Sequence, residues 1–150
     1  MEKKNIEDLL DQGITIQIQP IGYSMYPMFV PDRDFAILKQ VPVNTLRRGD
    51  VVLYRRLNGP LVLHRIYRKD TNGFYMVGDG QSKTEGPLDS TQIKGKLLSF
   101  IRNGKTISVK HPIYRAAVSV WLILLPIRRP IQAFLVFIKR SLPMQRRPKK

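Results

Sequence analysis

The chain has no cysteine and only two histidines, His64 and His111. No disulfide and no thiolate metal site can form, and two distant histidines without cysteine do not make a ligand set, so neither a metal nor another cofactor is expected. Acid is missing from the last third, because all eleven Asp and Glu residues lie between Glu2 and Asp89. Long hydrophobic runs are missing too. The most apolar stretch, residues 116–138, is broken by two arginines and two prolines, whereas a spanning helix needs roughly 20 mostly apolar residues. The opening MEKKNIEDLLDQG is too polar for the apolar core of a cleavable signal peptide.

What is present is positive charge, unevenly spread. The net charge is +15. Residues 1–110 carry seventeen Lys and Arg against the eleven acids, and residues 111–150 carry nine against none. A basic segment of this kind binds nucleic acid or anionic lipid. Its cations alternate with aliphatic runs, AAVSVWLILLP and IQAFLVFI, more than with stacking aromatics, and no nucleic-acid motif accompanies them. An anionic membrane surface is therefore the expected partner of residues 116–150. Two short helices would lie in the interface, with Trp121 near the headgroups. The plainer alternative is an apolar helix packed on the domain, followed by a basic end. If 116–138 spanned the membrane, the basic residues 139–150 would stay cytoplasmic and the rest of the chain would lie outside. Otherwise the chain would sit on the cytoplasmic face, or in the cytoplasm.

The organisation reads as three parts. Residues 1–13 form a short amphipathic helix, with Ile6, Leu9 and Leu10 on one side and Gly13 ending it. Residues 14–110 are mainly β. ITIQIQ (14–19) alternates strictly, and DFAILKQV (34–41), DVVLYRR (50–56), LVLHRIYR (61–68) and FYMVGD (74–79) follow between turn residues. Asn103-Gly104 inside GKLLSFIRNGKTISVK (95–110) is a strong hairpin signal. These strands predict an all-β sandwich or a partly closed barrel. Residues 111–150 are the apolar, basic appendage.

The chemistry centres on IGYSMYPMFVPDRD, residues 21–34. A serine hydroxyl is a poor nucleophile until a base takes its proton. For Ser24 the candidate base is His64, which strand alternation puts on one face with Val62 and Ile66. His111 stands at the junction with the appendage, and Lys39 and Lys83 lie in no apolar setting that would lower a lysine pKa. A histidine base usually takes a carboxylate to fix its tautomer, and Asp79 and Asp89 follow it. Each has a structural alternative: Asp79 between glycines suits a turn, and Asp89 before Ser90-Thr91 suits a cap.

The block order GYSMYPMFVPDRD, RRGDVVLYRR, LVLHRIYR, MVGDGQSKTEGPLD, IKGKLLSF resembles the type I signal peptidases, in the signal-peptidase/SOS-repressor-like superfamily. It is similar to the histidine-using branch, and the resemblance covers about residues 20–100. It implies a β-fold of short strands and a serine endopeptidase cleaving leader or signal peptides after small residues. Ser24 then matches the nucleophile, His64 the general base and Asp89 the supporting aspartate. Asp79 matches a structural carboxylate, Met25 and Pro27 shape the nucleophile turn, and Gly49-Asp50 starts a strand.

The chain departs from the family pattern at four points. Tyr23 replaces a common glycine. Gly22 stands where many members carry a hydroxyl that helps bind the oxyanion. GDGQ replaces GDNN, with SKTEGP inserted before Asp89. The N-terminal membrane anchor of the family is also not seen. Two other functions follow from the same residues: a catalytically degenerate membrane-bound binding module, which Gly22 and the altered loop favour, and a self-cleaving regulator like the SOS repressors. The latter predicts an internal cleavage site and a DNA-binding domain, and neither is visible.

Overall fold

The computed structural model describes residues 5–141, so the first four residues of the N-terminal part and the basic stretch 142–150 lie outside the described residues. Helix α1 (Ile6–Asp11) starts where the Asn5 side chain accepts the Glu7 N–H, and Gly13, at φ +73°, follows its end. Leu10 buries completely in the core, and Glu7 pairs with Arg55.

Eight strands follow: β1 (Ile16–Ile18), β2 (Asp34–Lys39), β3 (Val51–Arg55), β4 (Leu61–Asp70), β5 (Gly73–Val77), β6 (Glu85–Leu88), β7 (Ile93–Arg102) and β8 (Lys105–Ser108). All pairings are antiparallel, and the expected Asn103-Gly104 turn joins β7 to β8. The strands belong to one sheet in the order β1-β2-β7-β3-β4-β5-β6, with β8 also on β7. The chain is thus mainly antiparallel β, as expected, with its strands linked in one hydrogen-bonded sheet. The long strand β7 links its parts: Ile93–Lys96 pairs with β3, Ser99–Arg102 pairs with β8, and β2 runs along its other edge. Register shifts in β2, β3, β4 and β5 add local twist to this single sheet.

β3 is central, and apolar groups cover both of its faces. Val51 and Leu53 meet Met25, Phe29, Leu97 and Phe100 on one side. Val52 and Tyr54 meet Ile66, Phe74 and Met76 on the other. That explains why VVLY is buried without interruption. Full burial of each such side chain contributes roughly 1.5–3 kcal/mol relative to exposure.

The appendage is built onto the domain. Helix α2 (Pro112–Ile123) begins with Pro at N1 and the His111 ring accepting the Ile113 N–H. Val118, Leu122 and the following Leu125 pack on Val77, Met28, Tyr67 and Tyr114. After the single-turn 3-10 helix Leu125–Ile127, helix α3 (Arg128–Ser141) continues at 58°. One expectation is corrected here. Trp121 does not point its polar edge toward headgroups, because its indole N–H donates to the Asp79 carbonyl at 2.9 Å. Arg128, one of the two arginines that break the apolar run, is fully buried and donates to the carbonyls of Trp121, Gly78 and Gln81 at 2.8–3.3 Å. Beyond Gln132, α3 leaves the domain, and Phe134, Leu135, Val136, Phe137 and Ile138 are all exposed. No single helix among the described residues is long and apolar enough to cross a membrane; α2 and α3 meet that test only as a bent pair.

Candidate active site

Ser24 lies half-buried on a tight turn whose geometry is locally determined. Tyr26 and Phe29 donate backbone N–H groups to Tyr23 and Met25, at 3.0 and 2.8 Å. The Tyr26–Pro27 peptide is cis. Met25 and Phe29 anchor the turn in the core while Tyr23, Tyr26 and Pro27 stay exposed. The far end of the loop is fixed by Asp34, which accepts from Val30 N–H and from the guanidiniums of Arg33 and Arg102 at 2.8–3.0 Å. Burial works against this carboxylate, but those donors outweigh it and hold its pKa well below the usual range.

The loop after β5 closes behind the serine. Gly80 N–H donates to the Ser24 carbonyl at 2.8 Å. Gly78 and Gly80 are required for this approach: a Cβ at 78 would run into the Ser24 carbonyl, and one at 80 would come within 2.6 Å of the Tyr23 carbonyl. Between them, Asp79 is buried in a two-pronged pair with Arg65 at 2.6 and 2.7 Å. Arg65 also donates to the Gly49 carbonyl at 2.7 Å. Burial opposes its charge, but Asp79 prevails and raises its pKa. Asp79 therefore ties β4, the 49–50 turn and the Ser24 turn together. Asp50 accepts from Arg47 N–H and pairs with Lys96, both at 2.9 Å, which is scaffold work.

Ser24 and His64 line one cleft of about 420 Å³, together with Gly22, Gln81, Arg56 and apolar residues including Met25 and Leu63. His64 is only 2% exposed. Its Nδ1 lies 3.1 Å from the Tyr54 hydroxyl. Among the described residues no side-chain polar atom is both buried and unpaired, and Nε2 makes no hydrogen bond, so Nε2 opens to the cleft that His64 lines. Burial pushes the His64 pKa down to about 4, against the opposing pull of Glu85. The ring is thus neutral at neutral pH, the form that can take a proton. Gly22, at φ +82°, occupies a backbone conformation that suits glycine, which accounts for the missing hydroxyl there. The Ser24 N–H has no backbone acceptor among the described residues and remains a free donor.

The structure does not bring Asp89 to His64. Asp89 is exposed and caps the turn Ser90–Gln92: it accepts Thr91 N–H at 2.8 Å and Thr91 O–H at 2.7 Å, and Gln92 closes a capping box. Those Thr91 bonds hold its pKa below the usual value. The cap alternative is the one observed, and the expectation that Asp89 orients the imidazole is not met. Tyr54, which sequence reasoning missed, takes the Nδ1 position. Its hydroxyl also reaches Glu85 Oε2 at 2.8 Å, and Glu85 is held by Arg56 through two contacts of 2.8 Å. Glu85 sits inside the inserted SKTEGP, which forms the start of β6 rather than loop alone. His111 is a helix cap, and Lys39 and Lys83 are exposed.

Among the described residues, no cluster of three or more His, Asp or Glu is arranged to hold a metal. No protein-family model, curated protein or solved structure matches the chain.

Proposed function

We propose that the chain is a serine endopeptidase of the signal-peptidase type, working at an anionic membrane surface. The observation that carries this reading is the shared cleft: a half-buried serine on a rigid turn, and a neutral histidine whose free Nε2 opens to the same space. Ser24 Oγ attacks the peptide carbonyl while His64 Nε2 takes its proton and then delivers it to the leaving amine. The Ser24 N–H is the available oxyanion donor, since Gly22 offers none. The apolar lining suits small or aliphatic side chains next to the cut, and an extended peptide would add along an exposed strand edge. The resemblance in residues 20–100 adds the preference for small residues before the scissile bond, and the signal-peptidase-like fold belongs to this proposal as well.

The membrane part rests on α3. Within α3 the residues 134–138 form an unbroken apolar run, FLVFI, and all five are exposed among the described residues; such a run is stable when something apolar surrounds it. With Arg129 and Arg140 nearby and no acid anywhere in 111–150, an anionic lipid surface is the fitting environment. The test is a comparison of protein N-termini by mass spectrometry in cells expressing the wild type, Ser24→Ala or His64→Ala. New N-termini following small residues, present only with the wild type, are expected. Three identical sets with folded, abundant wild-type protein would remove the peptidase reading.

A further inference from the structure

A serine–histidine site works only if the imidazole presents a lone pair, not a proton, to the serine. In this chain the usual carboxylate is elsewhere, so something else must select that tautomer. Tyr54 Oη contacts two groups, His64 Nδ1 at 3.1 Å and Glu85 Oε2 at 2.8 Å, and it owns one proton. Glu85 is paired with the Arg56 guanidinium through both oxygens and has only acceptors to offer. If the Tyr54 proton pointed at Nδ1, two oxygen acceptors would face each other at 2.8 Å. The proton must therefore lie toward Glu85, and the remaining contact is satisfied only by a proton on Nδ1. We infer that Tyr54 and Glu85 are positioning residues that hold His64 as the Nδ1–H tautomer, leaving the Nε2 lone pair open to the cleft that Ser24 also lines.

This rests on the Ser24–His64 reading for its catalytic meaning, though not for its geometry. During acylation Ser24 Oγ bonds to the carbonyl carbon, the carbonyl π pair moves to oxygen, and the Ser24 proton goes to Nε2. Nδ1 keeps its proton throughout, donating to Tyr54, which donates to Glu85. Neither Tyr54 nor Glu85 changes protonation. The buried setting gives the chain its leverage: Tyr54 is fully buried and His64 nearly so, leaving water little access to Nδ1. The charges felt by the ring are Glu85 from β6, Arg56 after β3 and Asp79 after β5, the last already neutralised by Arg65. Removing the Glu85 charge leaves Arg56 unopposed, so the imidazolium becomes harder to form.

The experiment is imidazole 15N NMR on the full chain, as wild type, Tyr54→Phe, Glu85→Gln and Asp89→Ala, with His111→Asn to assign the two rings. In the wild type, His64 is expected as Nδ1–H. In Tyr54→Phe the Nε2–H form becomes populated, and kcat on a cleavable peptide falls at least about tenfold with KM nearly unchanged. Glu85→Gln moves the acid limb of the kcat/KM profile to lower pH, and Asp89→Ala moves neither tautomer nor profile. A wild-type spectrum showing Nε2–H overturns the inference, as does a folded Tyr54→Phe with unchanged tautomer and kcat. The two readings fail separately. A wild type that cleaves nothing yet shows Nδ1–H supports the tautomer assignment while the peptidase reading falls. A cleaving wild type with Nε2–H removes the assignment alone.

Discussion

Gly80 donates its backbone N–H to the carbonyl of Ser24, and this one bond makes the loop after β5 the back wall of the Ser24 turn. The loop is held in turn by Arg65 through Asp79 and by Arg128 through the carbonyls of Gly78 and Gln81. The position of a surface hydroxyl is therefore set by two buried guanidiniums, one from a central strand and one from the C-terminal helices.

Replacing Gly80 by Ala is expected to move the serine. The added methyl would meet the carbonyls of Tyr23 and Tyr26, at 2.6 and 3.0 Å, and backbone cannot step aside as a side chain can. Overpacking of this kind costs about 1–3 kcal/mol. Thermal unfolding should show that loss, and peptide cleavage should fall by more than the unfolded fraction accounts for. Unchanged cleavage would mean the turn adapts.

Arg128→Ala should destabilise the protein by about 2–3 kcal/mol in urea unfolding, because it removes charged hydrogen bonds and strands several buried carbonyls. Arg129→Ala, whose side chain is exposed and bonds Ser82 among the described residues, should cost less than about 0.5 kcal/mol. Equal effects would contradict the asymmetry between these neighbours.

Acid should act in two steps. The folded His64 pKa, about 4, is below its ordinary value of about 6.5, so the unfolded chain binds the proton first. Stability then falls as pH drops from about 6.5 to about 4, by on the order of 3 kcal/mol, and the unfolding equilibrium of His64→Gln should lack that slope. Asp34 is shifted in the same direction, downward, but in a lower window: its contribution is full above the ordinary carboxylate pKa and is lost on further acidification below about 4. An Asp34→Asn variant should be weaker at neutral pH and flatter in that lower window.

Binding to vesicles should depend on α3. Sedimentation with anionic phospholipid vesicles is expected to capture the wild type, and Phe134→Asp with Phe137→Asp should reduce capture at least tenfold without changing the melting temperature, since both rings are exposed. Capture by neutral vesicles, undiminished in high salt, would argue against the charge component.

Asp89→Ala should cost about 1 kcal/mol, the value of a lost cap, with kcat unchanged. A large loss of kcat at full stability would restore the aspartate to the site.

The strands with clean alternation and the Asn103-Gly104 turn were legible because they depend on neighbours in sequence. Strand β6 was not: Glu85-Gly86-Pro87-Leu88 has poor strand propensity, and it is extended because β5 pairs with it. Ser24 and His64 could be read from residue type and surroundings. Tyr54 could not, since it meets His64 only through the β3–β4 register, which sets Val52 opposite His64 and leaves Tyr54 on the diagonal. The structural role of Arg128 was not legible, because the loop carbonyls it serves lie about fifty residues earlier in the chain. A sequence signal existed for Glu85: it is the one carboxylate inside the inserted SKTEGP.

The contacts of Arg128 and Gln132 with the 78–81 loop also bear on when the protein matures during synthesis. All eight strands have been made by residue 108, but the clamp behind the serine is completed only some twenty-five residues later. A growing chain can thus fold its sheet while the Ser24 turn is still unbraced. On the peptidase reading, cleaving ability would then appear late in synthesis, as the exposed end of α3 emerges.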